Sequence, residues 1–283
     1  MPRTSWDKVG SYVVEDVALD GQRAIADFLD TEAARIDALI AKKCRMIELL
    51  KDQLAERVRC TVLLEQWYED PLQVSRREAQ LLGVRAMRLS WMAAFGSGTT
   101  PAAGSDRYYG GDIPWVLTGD LPDGEVNATT RSVTEEALAD HSALKVYPAG
   151  SLVVAMYGAT IGKMGILRIG AAVNQACCVI APGPDLDTDF LYFYMFGFRN
   201  ELIERGRGSG QPNISQEILR SLRLAVPPVD RQRALVAELR RSWERVERAT
   251  TALVTQIELL QEHRQALITA AVTGELEVPG VAA

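Results

Sequence analysis

Ile-Glu-Leu-Leu occurs at residues 47–50 and again at 257–260, and Ile257 lies 210 residues after Ile47. The same shift lays Asp20 on Asp230, Gln22-Arg23-Ala24 on Gln232-Arg233-Ala234, Leu29 on Leu239 and Arg35 on Arg245. Ten of the 39 positions in 20–58 match 230–268 without a gap. A constant offset of this kind marks a duplicated element rather than two segments that share only a composition. The chain therefore carries the same structural unit near both ends, with something different between them.

The duplicated unit reads as a long amphipathic helix. In the first copy Leu29, Ile36, Lys43 and Leu50 recur every seven residues, with Ala33, Ile40, Ile47 and Leu54 as the companion series. In the second, Leu239, Val246, Leu253, Leu260 and Leu267 repeat in the same way. Their companions are Trp243, Thr250, Ile257, Arg264 and Ala271. A three-four alternation of this length is the seam of a coiled coil. Lys43 and Arg264 are charged intruders of the kind that fix register or partner at some cost in stability. Asp20 and Asp230 are placed to serve as N-caps. Pro227-Pro228 marks a boundary ahead of the second copy, and Gly274 stops it. A helix of that matched length extends roughly 58 Å, long for a compact domain and suited to a spacer.

Residues 67–226 change period, and short apolar runs replace the heptads. "WMAAFGSGTTP", "SLVVAMYG", "KMGILRI", "AAVNQACCVIAP" and "LRLAV" read as strands or strand ends with glycines at the bends. "SVTEEALADH" has Ser132 three residues before Glu135, which predicts a capped helix. "TDFLYFYMFGFRNELIERG" predicts one helix, and "NISQEILRSL" another capped by Asn213 or Ser215. The fold class expected is α/β: one mixed α/β domain flanked by two long coiled-coil helices. Its divisions are a stub at 1–19, helix at 20–66, domain at 67–226, helix at 227–274 and a tail at 275–283.

Several function classes find no support. The glycine loops "GSGTTP" and "GRGSGQPN" complete neither a P-loop nor G-x-G-x-x-G. His141 and His263 are the only histidines, both in expected helices without a nucleophile motif beside them. Cys44, Cys60, Cys177 and Cys178 lack zinc spacing and read as ordinary buried thiols. No catalytic residue, no metal site and no cofactor is expected in this chain. The N-terminus lacks an apolar signal region, and the most apolar stretch is interrupted by three glycines and Lys163. A cytoplasmic protein that engages no membrane is the expectation.

Nucleic acid is a different matter. The formal charge of −6 is not that of a non-specific DNA binder. Locally, however, "RNELIERGRGSGQPNIS" gathers Arg199, Arg205 and Arg207 with Ser209, Gln211 and Asn213, the groups that contact phosphates and base edges. "MYGATIGK" presents Tyr157, Thr160 and Lys163 around two glycines, and the first loop adds Ser97, Thr99 and Thr100. By residue chemistry alone, DNA contact and ordinary polar turns both remain open.

The order of these phrases decides between them. "GSGTTP", "GGDIPWVLTGDL", "MYGATIGKMGI", "VNQACCVIAP" and "GSGQPNIS", followed by "LAVPPVDRQRALVAEL" and "QIELLQEHRQALITAAVTGELEV", resemble the specificity subunits of type I restriction-modification systems. The resemblance runs from about residue 18 to 278. It implies a non-catalytic subunit that recognises double-stranded DNA and docks methyltransferase (modification) subunits through its helices, and that these helices pack as an antiparallel coiled coil. S-adenosylmethionine would then sit on those partners, as would the catalytic Asn-Pro-Pro-aromatic tetrapeptide that this chain lacks. A restriction (translocase) subunit is a further potential partner. Full members alternate two recognition domains with two helices, whereas this chain has helix, domain, helix. It is similar to a half-sized subunit, for which a second copy of itself would restore the pair, each chain reading one half-site. The competing expectation is a coiled-coil decoy that occupies methyltransferase subunits without reading DNA.

Overall fold

A computed structural model describes residues 17–64, 68–81, 83–102, 105–206, 212–279 and 281. The duplication is reproduced in the element bounds. Helix α1 spans Leu19–Val62 and helix α8 spans Val229–Val272, each of 44 residues and displaced by the same 210 positions as the sequence repeat. Asp20 and Asp230 lie inside the first turns rather than at the caps. There they still favour the helix, because the first-turn amide dipoles attract a carboxylate. At the start of α8 the Pro228 carbonyl accepts the amide of Gln232 at 3.0 Å, so the missing proline N–H falls where a helix has no partner for it anyway. Beyond α8, Gly274 takes a left-handed φ of 74° and closes the C-terminus as its sequence position predicts.

The described residues divide into two compact units, 1–53 with 244–283, and 54–243. In the first unit the two helices run antiparallel. Lys43 Nζ donates to Gln256 Oε1 at 2.5 Å, and Arg264 lies 3.5 Å from Asp37, so residue numbers rise on one helix as they fall on the other. Both charged seam residues thus find a polar partner on the opposite helix. Ile36 is buried, while Leu29, Ile40, Ile47, Leu50, Val246, Leu253, Leu260 and Leu267 are half-buried. These positions follow the three-four alternation, the pattern a coiled-coil seam requires.

The second unit is the mixed α/β domain, and it takes in the inner ends of both helices. It is therefore wider than 67–226: Leu54, Val58, Val62, Val236 and Leu239 are buried in it. After α2 (Arg76–Leu81) come β1 (Arg85–Arg88), α3 (Leu89–Met92) and β2 (Ala93–Ser97). Next are β3 (Tyr109–Val116), β4 (Gly124–Val126), β5 (Arg131–Val133) and α4 (Glu135–Asp140). The chain continues through β6 (Leu152–Ala155), β7 (Met164–Leu167), β8 (Ala172–Val173) and β9 (Cys177–Pro182). It closes with α5 (Thr188–Gly197), α6 (Arg199–Arg205), α7 (Gln216–Ser221) and β10 (Arg223–Val226). The main sheet has the order β2-β9-β6-β7-β4; β5-β3-β8 and β1-β10 form two smaller sheets. Strands β6 and β7 are buried throughout, which explains why they read as continuous apolar runs rather than as alternating ones.

Local readings need four corrections. Thr134, not Ser132, caps α4: its hydroxyl accepts the Ala137 amide, while Ser132 is spent in strand β5. His141 is consequently the C-cap of α4 rather than a helix-interior residue. The single helix expected over 188–206 is broken at Phe198, whose φ and ψ of −115° and 28° leave the helical region. Finally, only Cys177 and Cys178 are buried; Cys44 and Cys60 are exposed. Ser215 caps α7, one of the two alternatives that the sequence offers.

A dense lattice fastens the helix ends to the domain. Trp243 packs edge-on against Tyr192, Phe193 and Phe196, with ring centroids 4.9–6.2 Å apart. The guanidinium of Arg59 lies 4.8 Å over the Phe198 ring and 2.6 Å from Glu201. Gln232 is wholly buried: its amide oxygen accepts from Asp187 N at 2.8 Å, and its amide nitrogen donates to Asp185 O and Pro227 O. All of these interactions belong to the second unit.

Candidate nucleic-acid interface

The antiparallel order of the main sheet decides where its loops emerge. Ser97 pairs with Cys178, Ala155 with Cys177, and Val154 with Met164. The end of β2, the start of β9, the end of β6 and the start of β7 therefore lie at one end of the sheet. The loop after Ser97 and the loop from Tyr157 to Lys163 leave from this common rim, although more than 50 residues separate them in sequence.

The third polar segment reaches the rim by backbone pairing. Asn213 forms an isolated antiparallel bridge with Tyr157, Ile214 N donates to Met156 O at 2.8 Å, and Asn213 N donates to Gly206 O at 2.9 Å. Asn213 thus shares one edge of the domain with the loops that begin at Ser97 and Tyr157. Arg207, Ser209 and Gln211 lie outside the described residues.

Each loop is built differently. In the first, a Cβ on Gly98 would stand 1.7 Å from the Val173 carbonyl oxygen, so only glycine allows this approach. The Ser97 hydroxyl donates to Cys177 O at 2.9 Å, and the Thr100 hydroxyl donates to Gln175. Ser97 is thereby turned into the fold, while Thr99 is half-exposed and Thr100 exposed. In the second loop, the Gly162 amide donates to Ala155 O and the Lys163 amide to Thr160 O, giving a tight turn with Gly162 at a φ of 77°. That turn leaves Tyr157 37% exposed and Lys163 exposed, with Thr160 partly so. Lys163 has no side-chain partner among the described residues, which leaves its charge for an external anion.

The arginines separate into two kinds. Arg199 is structural: it makes a bidentate pair with Asp123 at 2.5 and 3.0 Å and lies 4.9 Å over the Phe196 ring. Its apparent membership of a basic cluster was an accident of sequence proximity. Arg205 reaches back to Asp70 in an ion pair, so it meets an external phosphate only by exchanging one partner for another.

Two supports were invisible in the sequence. Tyr147 donates its hydroxyl to Ser97 O at 2.6 Å and lies against Gly96, and burial pushes its phenol pKa up. Asn174 caps the turn that presents Gln175, its side-chain oxygen accepting from Ala176 N at 3.2 Å. Neither role carries a signal that a single sequence can display. Beneath the rim, burial raises the Cys177 and Cys178 thiols to about 12, so they stay protonated and unreactive at neutral pH.

Known proteins place this architecture. The family described as type I restriction modification DNA specificity domain matches residues 84–258. A specificity subunit of the Escherichia coli type I restriction enzyme EcoR124I/EcoR124II is 25% identical over 195 residues, 65% of this chain and 48% of that protein. The specificity subunit of the type I enzyme MjaIX from Methanocaldococcus jannaschii is 28% identical over 148 residues, 50% of this chain and 34% of that one. This chain thus spans about half the length, or less, of the curated relatives it matches. The crystal structure of the HsdS subunit from Thermoanaerobacter tengcongensis shares the fold, with a TM-score of 0.56 at 18% identity, covering 91% of this chain and 59% of that one. With the family match spanning most of the domain and most of α8, the chain belongs to the type I restriction modification DNA specificity domain family.

Proposed function

We propose that this chain is the DNA-reading, non-catalytic subunit of a cytoplasmic type I restriction-modification complex. The observation that carries the reading is the gathering of two polar loops and Asn213 on one rim of a family domain. Exposed Tyr157, Lys163 and Thr100, with the segment 205–213, supply the donors, acceptors and charge suited to phosphates and base edges. The long helices dock adenine methyltransferase subunits, which bring S-adenosylmethionine.

Each chain reads one half-site, and a second copy related by a two-fold axis supplies the other. Leu39, Met46 and Leu49 on α1, with Val254 and Leu259 on α8, are 42–58% exposed and leave apolar surface beside the seam. A second copy is the occupant that the duplicated helices favour, because a dyad relates identical surfaces. Each 44-residue helix extends about 66 Å, enough to hold two domains on one stretch of duplex.

The test is to co-purify the chain with its cognate methyltransferase subunit and map the methylated adenines. A palindromic motif interrupted by a fixed spacer is the expected result. An asymmetric motif would rule out the two-fold dimer, and a stable complex that methylates nothing would make the chain a decoy.

A further inference from the structure

Three arginines are gathered beside strand β2, with no carboxylate paired to any of them among the described residues. Arg88 and Arg223 are direct cross-strand partners in the β1-β10 pair, an arrangement in which like charges repel at close range. Arg88 Nε donates to the Arg220 carbonyl at 3.3 Å, which brings the third side chain's helix to the same place. The Arg220 guanidinium is held 5.2 Å over the Phe95 ring. No ion pair to Arg88, Arg220 or Arg223 exists among the described residues, although Glu217 precedes Arg220 by three positions on its helix.

Five other arginines of this domain carry a carboxylate partner, Arg59 with Glu201, Arg107 with Asp140, Arg168 with Glu125, Arg199 with Asp123 and Arg205 with Asp70, whereas Arg76, Arg77 and Arg131 have no ion pair among the described residues. Arg88 and Arg223 differ from all of these in facing one another across a strand pair. A cross-strand pair of like charges costs stability on its own and is relieved by an external anion.

Both routes of the chain connect this patch to the rim. Phe95 precedes Ser97 by two residues, about 7 Å along a strand. On the other side, Asn213 is followed by the Ser215 cap of the helix that carries Arg220. Next to Arg88, on the short helix that follows it, Trp91 is 61% exposed.

We propose that Arg88, Arg220 and Arg223 form a seat for the phosphodiester backbone of duplex DNA, flanking the loops that read the bases. The inference rests on the proposed function and adds a division of labour to it. Guanidinium forks bind phosphate oxygens in bidentate fashion, and such interactions fix the register of a protein on its duplex while carrying no sequence information. The Phe95 ring beneath Arg220 pre-orients one fork, and Trp91 offers an apolar face to a deoxyribose.

The experiment is a titration of the full chain with a fluorescent duplex of random sequence over a range of salt concentrations. Arg88→Gln, Arg220→Gln and Arg223→Gln combined should lower the slope of log K against log salt by roughly 0.9 for each phosphate no longer neutralised, about 2–3 in all. Arg88→Gln alone should lower it by about 1 without lowering the melting temperature, since it relieves the cross-strand repulsion. This single variant keeps the test intact if the triple one unfolds. Arg88→Lys with Arg223→Lys should retain most of the slope. An unchanged slope in folded variants overturns the seat, as does an unchanged slope with failure to capture methyltransferase, which would make the patch a protein-docking surface. If the wild-type chain binds no duplex at all, the proposed function fails and the seat with it.

Discussion

Asn213 and Tyr157 face each other in an antiparallel bridge although 56 residues separate them; Ile214 N donates across it to Met156 O, and the Asn213 amide is donated to the Gly206 carbonyl 2.9 Å away. This joint holds two of the three polar segments on the rim. Asn213→Pro deletes the donor and leaves a carbonyl unpaired, a loss of about 1–3 kcal/mol. DNA affinity should fall by more than global stability does, read by comparing binding with denaturant midpoints.

Gly98 tests the first loop. Its approach to Val173 O leaves no space for a methyl group, so Gly98→Ala must displace the loop or strand β8. Overpacking of this kind costs about 1–3 kcal/mol. Gly119 has no atom within 4 Å of an added Cβ, and Gly119→Ala should change stability by no more than about 0.5 kcal/mol. Urea melts of the two variants check the contrast.

Gln232 ties the start of α8 to the loop before α5. Gln232→Leu takes the partner from the Asp187 amide and the Asp185 carbonyl, both part-buried, and from the buried Pro227 carbonyl. At about 1–3 kcal/mol for an orphaned buried group, a drop of about 1–3 kcal/mol is expected from chemical denaturation.

The four thiols should divide by reactivity. Cys44 and Cys60 are exposed and should react with a maleimide in the native protein, whereas Cys177 and Cys178 should react only on unfolding. Their raised pKa, about 12 against an ordinary 9.0, also fixes a pH dependence. The native state keeps these protons where the unfolded chain releases them, so stability falls as pH rises through the window from about 9 to 12. At the acid end the sign reverses. The hydrogen bond from Arg168 holds the Glu125 carboxyl below its usual range, and the stability it contributes is lost as pH falls. Melting temperatures across pH measure both limbs.

The helices were the most legible part of the chain, because a seven-residue period repeats its message many times and the duplicate repeats it again. Bounds of Leu19–Val62 and Val229–Val272 preserve the sequence offset residue for residue. Strands β6, β7 and β9 were legible as apolar runs between glycines. What sequence could not supply was pairing across distance. Arg199 looked like part of a basic cluster because it stands near Arg205, yet its partner Asp123 is 76 residues away. Tyr147, which supports Ser97 from 50 residues off, carries no local mark at all. Ser132 matched a capping pattern, but pairing of β5 with β3 claimed it first and left Thr134 to cap the helix.

The glycine at 98 has an evolutionary consequence. Because its backbone is pressed against Val173, the foot of that loop cannot acquire a side chain without moving a neighbouring strand. Novelty is thereby confined to the tip. On the proposed function, a lineage that acquires a new target would alter Thr99 and Thr100 at the tip while inheriting the footing unchanged. Such a rim behaves like a type-holder, whose letters can be exchanged only because the slots that grip them cannot.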